Sequence, residues 1–301
     1  MSGYYENGAL RPEMQEFLDI DGRERLYRCW DRVWVPTPST KEAFLALQDC
    51  MNAAPSTKPR GLIIAGEADT GKSRTLTAFR DLHPPQIDLR TEYAEFPAIY
   101  LTAPDNPDPV ILLKKILIEL GHPLRYNPSP ADLRSHVIMM LKSCRVGTVM
   151  IDEVHDIQRD NRMNSKLVDF LTFMKSLINE TGRPFVVGGT HEVRDLMASD
   201  DQIAGRLNRV VKLKPFTLAE FVKVLLSFER MLPLRRASVF RSSEDVIQAL
   251  YSLSQGYIGR LNYLLHDACQ VAIESGEERI TAFTIDKIKD RSIVSVGRRA
   301  A

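Results

Sequence analysis

The chain has 301 residues, of which 44% are hydrophobic and 26% are charged, and its formal net charge is +1. The composition is typical of a packed globular protein, and no apolar run is long enough to span a membrane. The length allows one large domain plus a smaller one, or two of ordinary size. The near-neutral charge excludes nucleic-acid binding through bulk charge alone, so such a site would need local basic clusters.

We expect no signal peptide in the N-terminal region, residues 1–35. It mixes charged and apolar side chains and lacks the apolar core of a signal peptide. The cysteines stand far apart and form no C-x-x-C pair, which fits a reducing cytoplasm better than a disulfide framework. We therefore expect a cytoplasmic protein, with an N-terminal extension that packs Trp30 and Trp34 on the main domain.

The octapeptide at residues 66–73 follows an apolar run and precedes a helix-forming stretch. It matches G-x-x-x-x-G-K-[ST], in which backbone N–H groups surround nucleotide phosphates, Lys72 contacts the β- and γ-phosphates and Ser73 binds Mg²⁺. A turn that binds nothing is the alternative, but a tight turn alone does not require Lys-Ser after the second glycine. The residues expected to line the nucleotide are Gly66, Glu67, Ala68, Asp69, Thr70, Gly71, Lys72, Ser73 and Arg74.

Strands and helices are predicted to alternate from residue 36 to residue 216, which indicates an α/β domain with a parallel sheet flanked by helices. The predicted strands cover residues 61–65, 96–101, 146–151, 184–189 and 210–213, and the predicted helices cover 40–51, 74–80, 109–120, 131–143 and 166–180. From a capping box at Thr217 onward the pattern is entirely helical. We therefore expect a small all-helical domain over residues 217–295 and a tail over 296–301.

Residues 149–153 form the second motif, an apolar strand that ends in two carboxylates. Asp152 would hold the Mg²⁺ shell, and Glu153 would orient and deprotonate the attacking water. A strand ending in Asp-Glu is common by itself. Its pairing with the loop at residue 66 predicts a phosphate-loop ATPase.

Four further residues are candidates for completing this site. Thr190 follows a predicted strand, where it would contact the attacking water as a sensor or cap the next helix. Arg206, with Arg209 as second choice, would reach a neighbouring subunit's nucleotide, and a plain surface arginine is the alternative. Arg260 begins a helix, from which it would reach the γ-phosphate or remain solvated.

The order of the motifs along the chain resembles that of an AAA+ ATPase. These motifs are the loop at residues 66–73, Asp152-Glu153, Thr190, Arg206 and Gly259-Arg260. Within that superfamily the chain resembles the TniB/TnsC regulators of bacterial DNA transposition, which are related in role to MuB. The resemblance covers about residues 25–290. The segments that carry it most specifically are residues 201–206 and 256–261.

The resemblance implies an AAA+ core with a helical lid that binds ATP and Mg²⁺. It implies head-to-tail rings or filaments on double-stranded DNA, bound with little sequence preference, in the bacterial cytoplasm. Such proteins bridge a TniQ-type target selector to a transposase, and ATP hydrolysis disassembles them. Some members serve CRISPR-associated transposons.

Family geometry also indicates where DNA would be contacted. The candidates are Thr102, Lys114, Lys115, Arg125, Ser129 and Arg134. For Lys114 and Lys115, the solvated face of a helix is the alternative. Other functions compatible with the motifs are a helicase loader, a replication-initiator-like ATPase, and a scaffold that binds nucleotide without turnover.

Overall fold

The computed structural model describes residues 10–87, 94–105, 108–122, 128–154, 164–198 and 201–297. The chain divides into two compact units, one made of Pro38–Lys214 and the other of residues up to Thr37 together with those from Pro215 onward. Within the described ranges, no helix combines the length and apolar character needed to cross a membrane.

The unit Pro38–Lys214 is built on a parallel sheet. In chain order the strands are β1 (Leu62–Ala65), β2 (Gln86–Ile87), β3 (Ala94–Glu95), β4 (Ala98–Thr102), β5 (Thr148–Asp152), β6 (Phe185–Gly189) and β7 (Arg209–Lys212). Five of them pair in the order β4-β5-β6-β1-β7, all parallel, while β2 and β3 form a separate antiparallel pair. All residues of β1, β5 and β6 are buried, as expected for parallel strands covered on both faces.

Helices cover both faces of this sheet. In chain order the helices are α1 (Pro12–Gln15), α2 (Gly22–Cys29), α3 (Pro38–Met51), α4 (Lys72–Leu82), α5 (Pro109–Glu119), α6 (Pro130–Ser143), α7 (Asn164–Thr181), α8 (Glu192–Ala198), α9 (Asp201–Ala204), α10 (Leu218–Glu229), α11 (Glu244–Ser254), α12 (Ile258–Glu274) and α13 (Ala282–Gly297). Apolar side chains of α3 and α4 pack on one face, and those of α5, α6 and α7 pack on the other. The alternating strands and helices predicted from the sequence are present.

The other unit is helical. Its apolar core combines Leu10, Met14 and Leu26 from the N-terminal region with side chains of α10 to α13. Trp30 packs against this core, and its ring lies 4.9 Å from that of His266. We expected the tryptophans on the α/β domain, and for Trp30 this was wrong, because α2 buries its apolar side against α12 instead.

A buried ion pair joins the N-terminal region to the C-terminal helices of this unit. Arg25 has no exposed surface and donates to the two carboxylate oxygens of Glu278 at 2.6 and 3.0 Å. The same guanidinium donates to the backbone carbonyls of Ile20 and Pro233 at 2.8 and 3.1 Å. A buried charge needs such partners, so Arg25 fixes the packing of α2.

Candidate active site

The octapeptide loop lies at the carboxyl end of β1 and leads directly into α4. Gly71 immediately precedes the helix with φ of 88°, a left-handed conformation that strongly favours glycine. The hydroxyl of Thr70 donates to the carbonyl of Glu67 at 2.7 Å, which closes the loop on itself. The first-turn N–H groups of α4, which have no acceptor within the helix, and its positive dipole end therefore lie beside the loop.

Lys72 is held inside this loop. Its amine donates to the carbonyls of Gly66 at 2.9 Å and Glu67 at 2.8 Å, and only 6% of the residue is exposed. Burial lowers the pKa of Lys72, and three carboxylates oppose this shift, those of Glu153, Asp152 and Asp69. Carboxylates of both sequence motifs therefore lie close enough to the Lys72 ammonium to stabilise its positive charge.

Asp152 and Glu153 stand at the carboxyl end of β5. Asp152 is completely buried, and its Oδ1 accepts from the backbone N–H of Glu153 at 2.9 Å. Glu153 turns away from the strand with φ of 59°, and its Oε1 lies 3.4 Å from the hydroxyl of Ser73. These contacts bring Ser73, Asp152 and Glu153 to the same edge of the sheet as Lys72.

The donor set at this edge fits a nucleotide with a bound divalent cation. Oxygen ligands are those that Mg²⁺ prefers, and here they are the Ser73 hydroxyl and the buried Asp152 carboxylate. A buried amine and a helix N-terminus lie beside them and match the negative charge of phosphates.

Thr190 and Arg74 flank this arrangement. Thr190 follows β6, which lies between β1 and β5 in the sheet, and its hydroxyl donates to the carboxylate of Glu192. Its carbonyl accepts from the N–H of Val193 at 3.2 Å, so Thr190 supports the first turn of α8. Arg74 is exposed in the first turn of α4. The sensor role of Thr190 stays a prediction beside this structural one.

Arg206 and Arg209 lie at the opposite, amino-terminal edge of the sheet. The carbonyl of Arg206 accepts from the N–H of Gly61 at 2.6 Å, and Arg209 is the register partner of Leu62, the first residue of β1. At about 3.3 Å per residue, the length of β1 puts these backbones about 13 Å from the loop. Neither arginine is next to the nucleotide loop of its own chain.

Both arginines have partners within the chain. Arg206 donates to the side-chain oxygen of Asn179 at 2.7 Å, and Arg209 pairs with Asp49 at 2.6 Å. An open cavity of about 530 Å³ lies beside Arg209 and is also lined by Lys58 and Arg60. This edge therefore carries positive charge around an accessible space.

Arg260 belongs to the helical unit, in the first turn of α12. Its guanidinium lies 4.3 Å from the centre of the Tyr257 ring and donates to the side-chain oxygen of Gln255. These contacts lie within the Gly-Tyr-Ile-Gly-Arg-Leu segment and its flank. The predicted role of Arg260 toward the γ-phosphate stays a prediction.

Four of the candidate DNA-contacting residues, Thr102, Lys115, Ser129 and Arg134, have structural tasks in the α/β unit. Lys115 donates to Thr102 at the end of β4, to its carbonyl at 2.9 Å and its hydroxyl at 3.2 Å. Ser129 caps α6 by accepting from the N–H of Asp132 at 3.2 Å. Arg134 is bonded to Ser176 and Glu180 of α7.

The other two candidates for DNA contact are Lys114 and Arg125. Lys114 is exposed on α5 and carries no such task among the contacts of the described residues. Arg125 lies outside the described residues. A phosphate contact from this region is therefore best sought at Lys114.

Sequence reasoning missed one side chain of the site. Tyr100 on β4 donates its hydroxyl to Oδ2 of Asp152 at 3.1 Å. The signal was present in the strand alternation, because Tyr100 pairs in register with Met150, and Met150 and Asp152 point to the same face. Recognising it required the pairing of β4 with β5, which a local pattern does not provide.

Solved structures similar to this chain include ORC and Cdc6 proteins. The Aeropyrum pernix ORC1 protein, in complex with DNA, has a TM-score of 0.56 and 15% identity over 84% of this chain and 64% of its own. The Aeropyrum pernix ORC2 protein, in ADPNP-ADP complexes, has a TM-score of 0.57 and 15% identity over 84% and 67%. Drosophila ORC bound to DNA has a TM-score of 0.51 and 14% identity over 91% and 64%.

The chain spans about two thirds of the length of these archaeal and Drosophila chains. Identities this low establish the fold alone, which is the AAA+ fold expected from the resemblance. No curated protein sequence matches the chain significantly. A family model described as bacterial TniB protein matches residues 25–217, more than half of the sequence. The chain therefore belongs to the bacterial TniB protein family.

Proposed function

We propose that the chain is an ATP-dependent regulator of DNA transposition that binds double-stranded DNA without sequence preference. The observation that carries the proposal is the convergence of Lys72, Ser73, Asp152 and Glu153 at one sheet edge in a TniB family member. Phosphoryl transfer depends mostly on positioning and charge neutralisation, and these residue types supply both.

Each of these residues has a part in the proposed hydrolysis of ATP. Lys72 would exchange the carbonyls of Gly66 and Glu67 for phosphate oxygens, since an amine donates to either. Ser73 and Asp152 would hold Mg²⁺, which when bound neutralises charge on the phosphates. Glu153 would accept the proton of the attacking water, because its carboxylate stands beside Ser73 at the end of β5.

The position of the candidate arginine fingers supports a head-to-tail homo-oligomer. Arg206 and Arg209 lie at the edge away from their own nucleotide loop, so they would act on the nucleotide of a neighbouring copy. A contact of this kind joins two different surfaces and propagates into a ring or a filament. Each site would then be complete only between two subunits.

The proposed assembly forms on double-stranded DNA in the cytoplasm of a bacterium. The structures of similar fold include ORC proteins solved with DNA, which supports a DNA-bound role. A net charge of +1 allows few phosphate contacts per subunit, so assembly would multiply a weak individual grip. The assembly would link a TniQ-type target selector to a transposase, and ATP hydrolysis would disassemble it.

A replication-initiator-like ATPase is the second candidate function. The similarity of the fold to ORC and Cdc6 proteins favours it. The two functions differ in what they require of the DNA, since an initiator acts at defined origins. Binding to several DNAs of unrelated sequence therefore distinguishes the transposition regulator from the initiator.

Electron microscopy of the protein with duplex DNA and a non-hydrolysable ATP analogue tests the proposal. We expect rings or filaments on several DNAs of unrelated sequence, no assemblies with Lys72→Ala, and normal assemblies with Lys41→Ala, which changes an exposed lysine of α3. Assembly by Lys72→Ala, or assembly without nucleotide, would overturn ATP gating. Binding confined to one DNA sequence would favour the initiator function.

A further inference from the structure

The hydroxyl of Tyr100 has one partner among the contacts of the described residues, Oδ2 of Asp152 at 3.1 Å. The ring of Tyr100 packs against the apolar core between the sheet and helices α3 and α4. Phenylalanine would fill that position equally well. The hydroxyl is therefore what distinguishes this side chain, and among the described residues it contacts the Asp152 carboxylate.

The register of the sheet explains how the hydroxyl reaches Asp152. Tyr100 is paired with Met150, while Asp152 is paired with Thr102, so Tyr100 and Asp152 are diagonal neighbours on one face. With strands about 4.8 Å apart and a rise of about 3.3 Å per residue, such diagonal neighbours are about 8 Å apart at their backbones, a span that a tyrosine side chain bridges. The contact thus follows from strand pairing and needs no flexible loop.

The other sides of the Asp152 carboxylate are also fixed. Oδ1 accepts from the backbone N–H of Glu153 at 2.9 Å. On the neighbouring strand, a Cβ atom added to Gly188 would lie 2.5 Å from Oδ1, too close for any side chain. Asp152 is completely buried, and its carboxylate occupies the space that the missing side chain of Gly188 leaves.

The two oxygens of the Asp152 carboxylate have different donors. The Tyr100 hydroxyl contacts Oδ2 at 3.1 Å, and the backbone N–H of Glu153 contacts Oδ1 at 2.9 Å. A donor on each oxygen leaves the carboxylate a single orientation.

We infer that Tyr100 is a positioning residue, which orients the Asp152 carboxylate for a divalent cation at the nucleotide site. The inference rests on the proposed ATPase function. Groups that hydrogen-bond a metal-binding carboxylate typically change metal affinity about 10–100-fold when they are removed. Tyr100 would thus set how much Mg²⁺ the site requires, while the loop and Lys72 bind the phosphates.

Tyr100→Phe tests this inference, with Tyr251→Phe as the matched control. The Tyr251 hydroxyl donates to the backbone carbonyl of Phe216 at 3.3 Å, within the helical unit. Binding of a fluorescent, non-hydrolysable ATP analogue is titrated at increasing Mg²⁺ and, separately, in EDTA. For Tyr100→Phe we expect the half-saturating Mg²⁺ concentration to rise about 10-fold or more, with the affinity in EDTA unchanged.

The possible outcomes separate the inference from the function on which it rests. If Tyr100→Phe has the Mg²⁺ midpoint of the wild type, the positioning role is wrong. If it loses affinity in EDTA to the same extent as in Mg²⁺, the hydroxyl supports the fold and not the cation. A wild-type protein whose analogue binding ignores Mg²⁺ would instead refute the proposed ATPase mechanism.

Discussion

Asp152 and Glu153 are adjacent in sequence but stand in different surroundings. Asp152 is completely buried and accepts hydrogen bonds from Tyr100 and from the backbone of Glu153. Glu153 is partly exposed, leaves the strand in a left-handed conformation and lies beside Ser73. A fixed carboxylate suits the holding of a cation, and a more accessible one suits proton transfer from water.

Arg206 and Arg209 are the candidate residues for completing the site of a neighbouring copy. Arg206→Ala should lower ATP hydrolysis about 10³-fold or more while nucleotide affinity is kept, because transition-state charge loses its partner. Phosphate release and analogue binding, measured with DNA present, check this. Should Arg206→Ala hydrolyse normally and Arg209→Ala fail, Arg209 is the finger.

Mixing two inactive variants shows whether the arginine acts between subunits. Glu153→Gln lacks the base but keeps Arg206, and Arg206→Ala keeps the base. An equal mixture should recover roughly a quarter of wild-type hydrolysis, because one neighbouring pair in four is complete in a heterologous assembly. A mixture as inactive as its components would contradict action in trans.

At the scale of elements, helix α2 is part of the helical unit through Arg25. This arginine is buried against Glu278, whereas Arg28 on the same helix pairs with Glu24 at the surface. The two arginines are one turn apart and differ mainly in burial. They therefore allow a matched comparison of a buried and an exposed ion pair.

Arg25→Ala should destabilise the helical unit by about 3–5 kcal/mol, because it leaves the Glu278 carboxylate buried without its main partner. Arg28→Ala should cost no more than about 0.5 kcal/mol. Urea unfolding followed by tryptophan fluorescence is a direct measurement, since Trp30 lies in this unit. Equal effects of the two substitutions would show that Arg25 does not stabilise the unit.

The local pattern of apolar residues in the sequence predicted most of these elements. The elements that it missed depend on contacts between segments distant in sequence. The apolar runs before Gly66 and before Asp152 marked buried strands because fully covered strands need continuous apolar residues. The short pair β2–β3 and the docking of residues 10–35 on the C-terminal helices were not predicted. Both depend on partners distant in sequence, which a window of neighbouring residues does not contain.

The same distinction applies to the candidate site. Lys72, Ser73, Asp152 and Glu153 were identified because each lies in a contiguous motif with its own chemistry. Tyr100 lies outside any motif, and its contact with Asp152 follows from the register of two strands. Positioning residues of this kind emerge from the sheet and not from spacing along the chain.

For the whole molecule, the two edges of the sheet carry different parts of one proposed reaction. The carboxyl edge holds the nucleotide loop and the two carboxylates, and the amino edge holds Arg206 and Arg209. Head-to-tail stacking would bring these edges together between copies. The ATP state of each site would then decide whether the assembly persists on DNA.

Release from DNA measures this coupling most directly. The protein is loaded with ATP and Mg²⁺ on a fluorescent duplex of random sequence, excess unlabelled duplex is added, and anisotropy follows dissociation. Wild-type protein should leave the duplex as phosphate is produced, and Glu153→Gln should remain bound because hydrolysis is slowed about 10²–10⁴-fold. Lys72→Ala should not load. Release of Glu153→Gln at the wild-type rate would contradict the account.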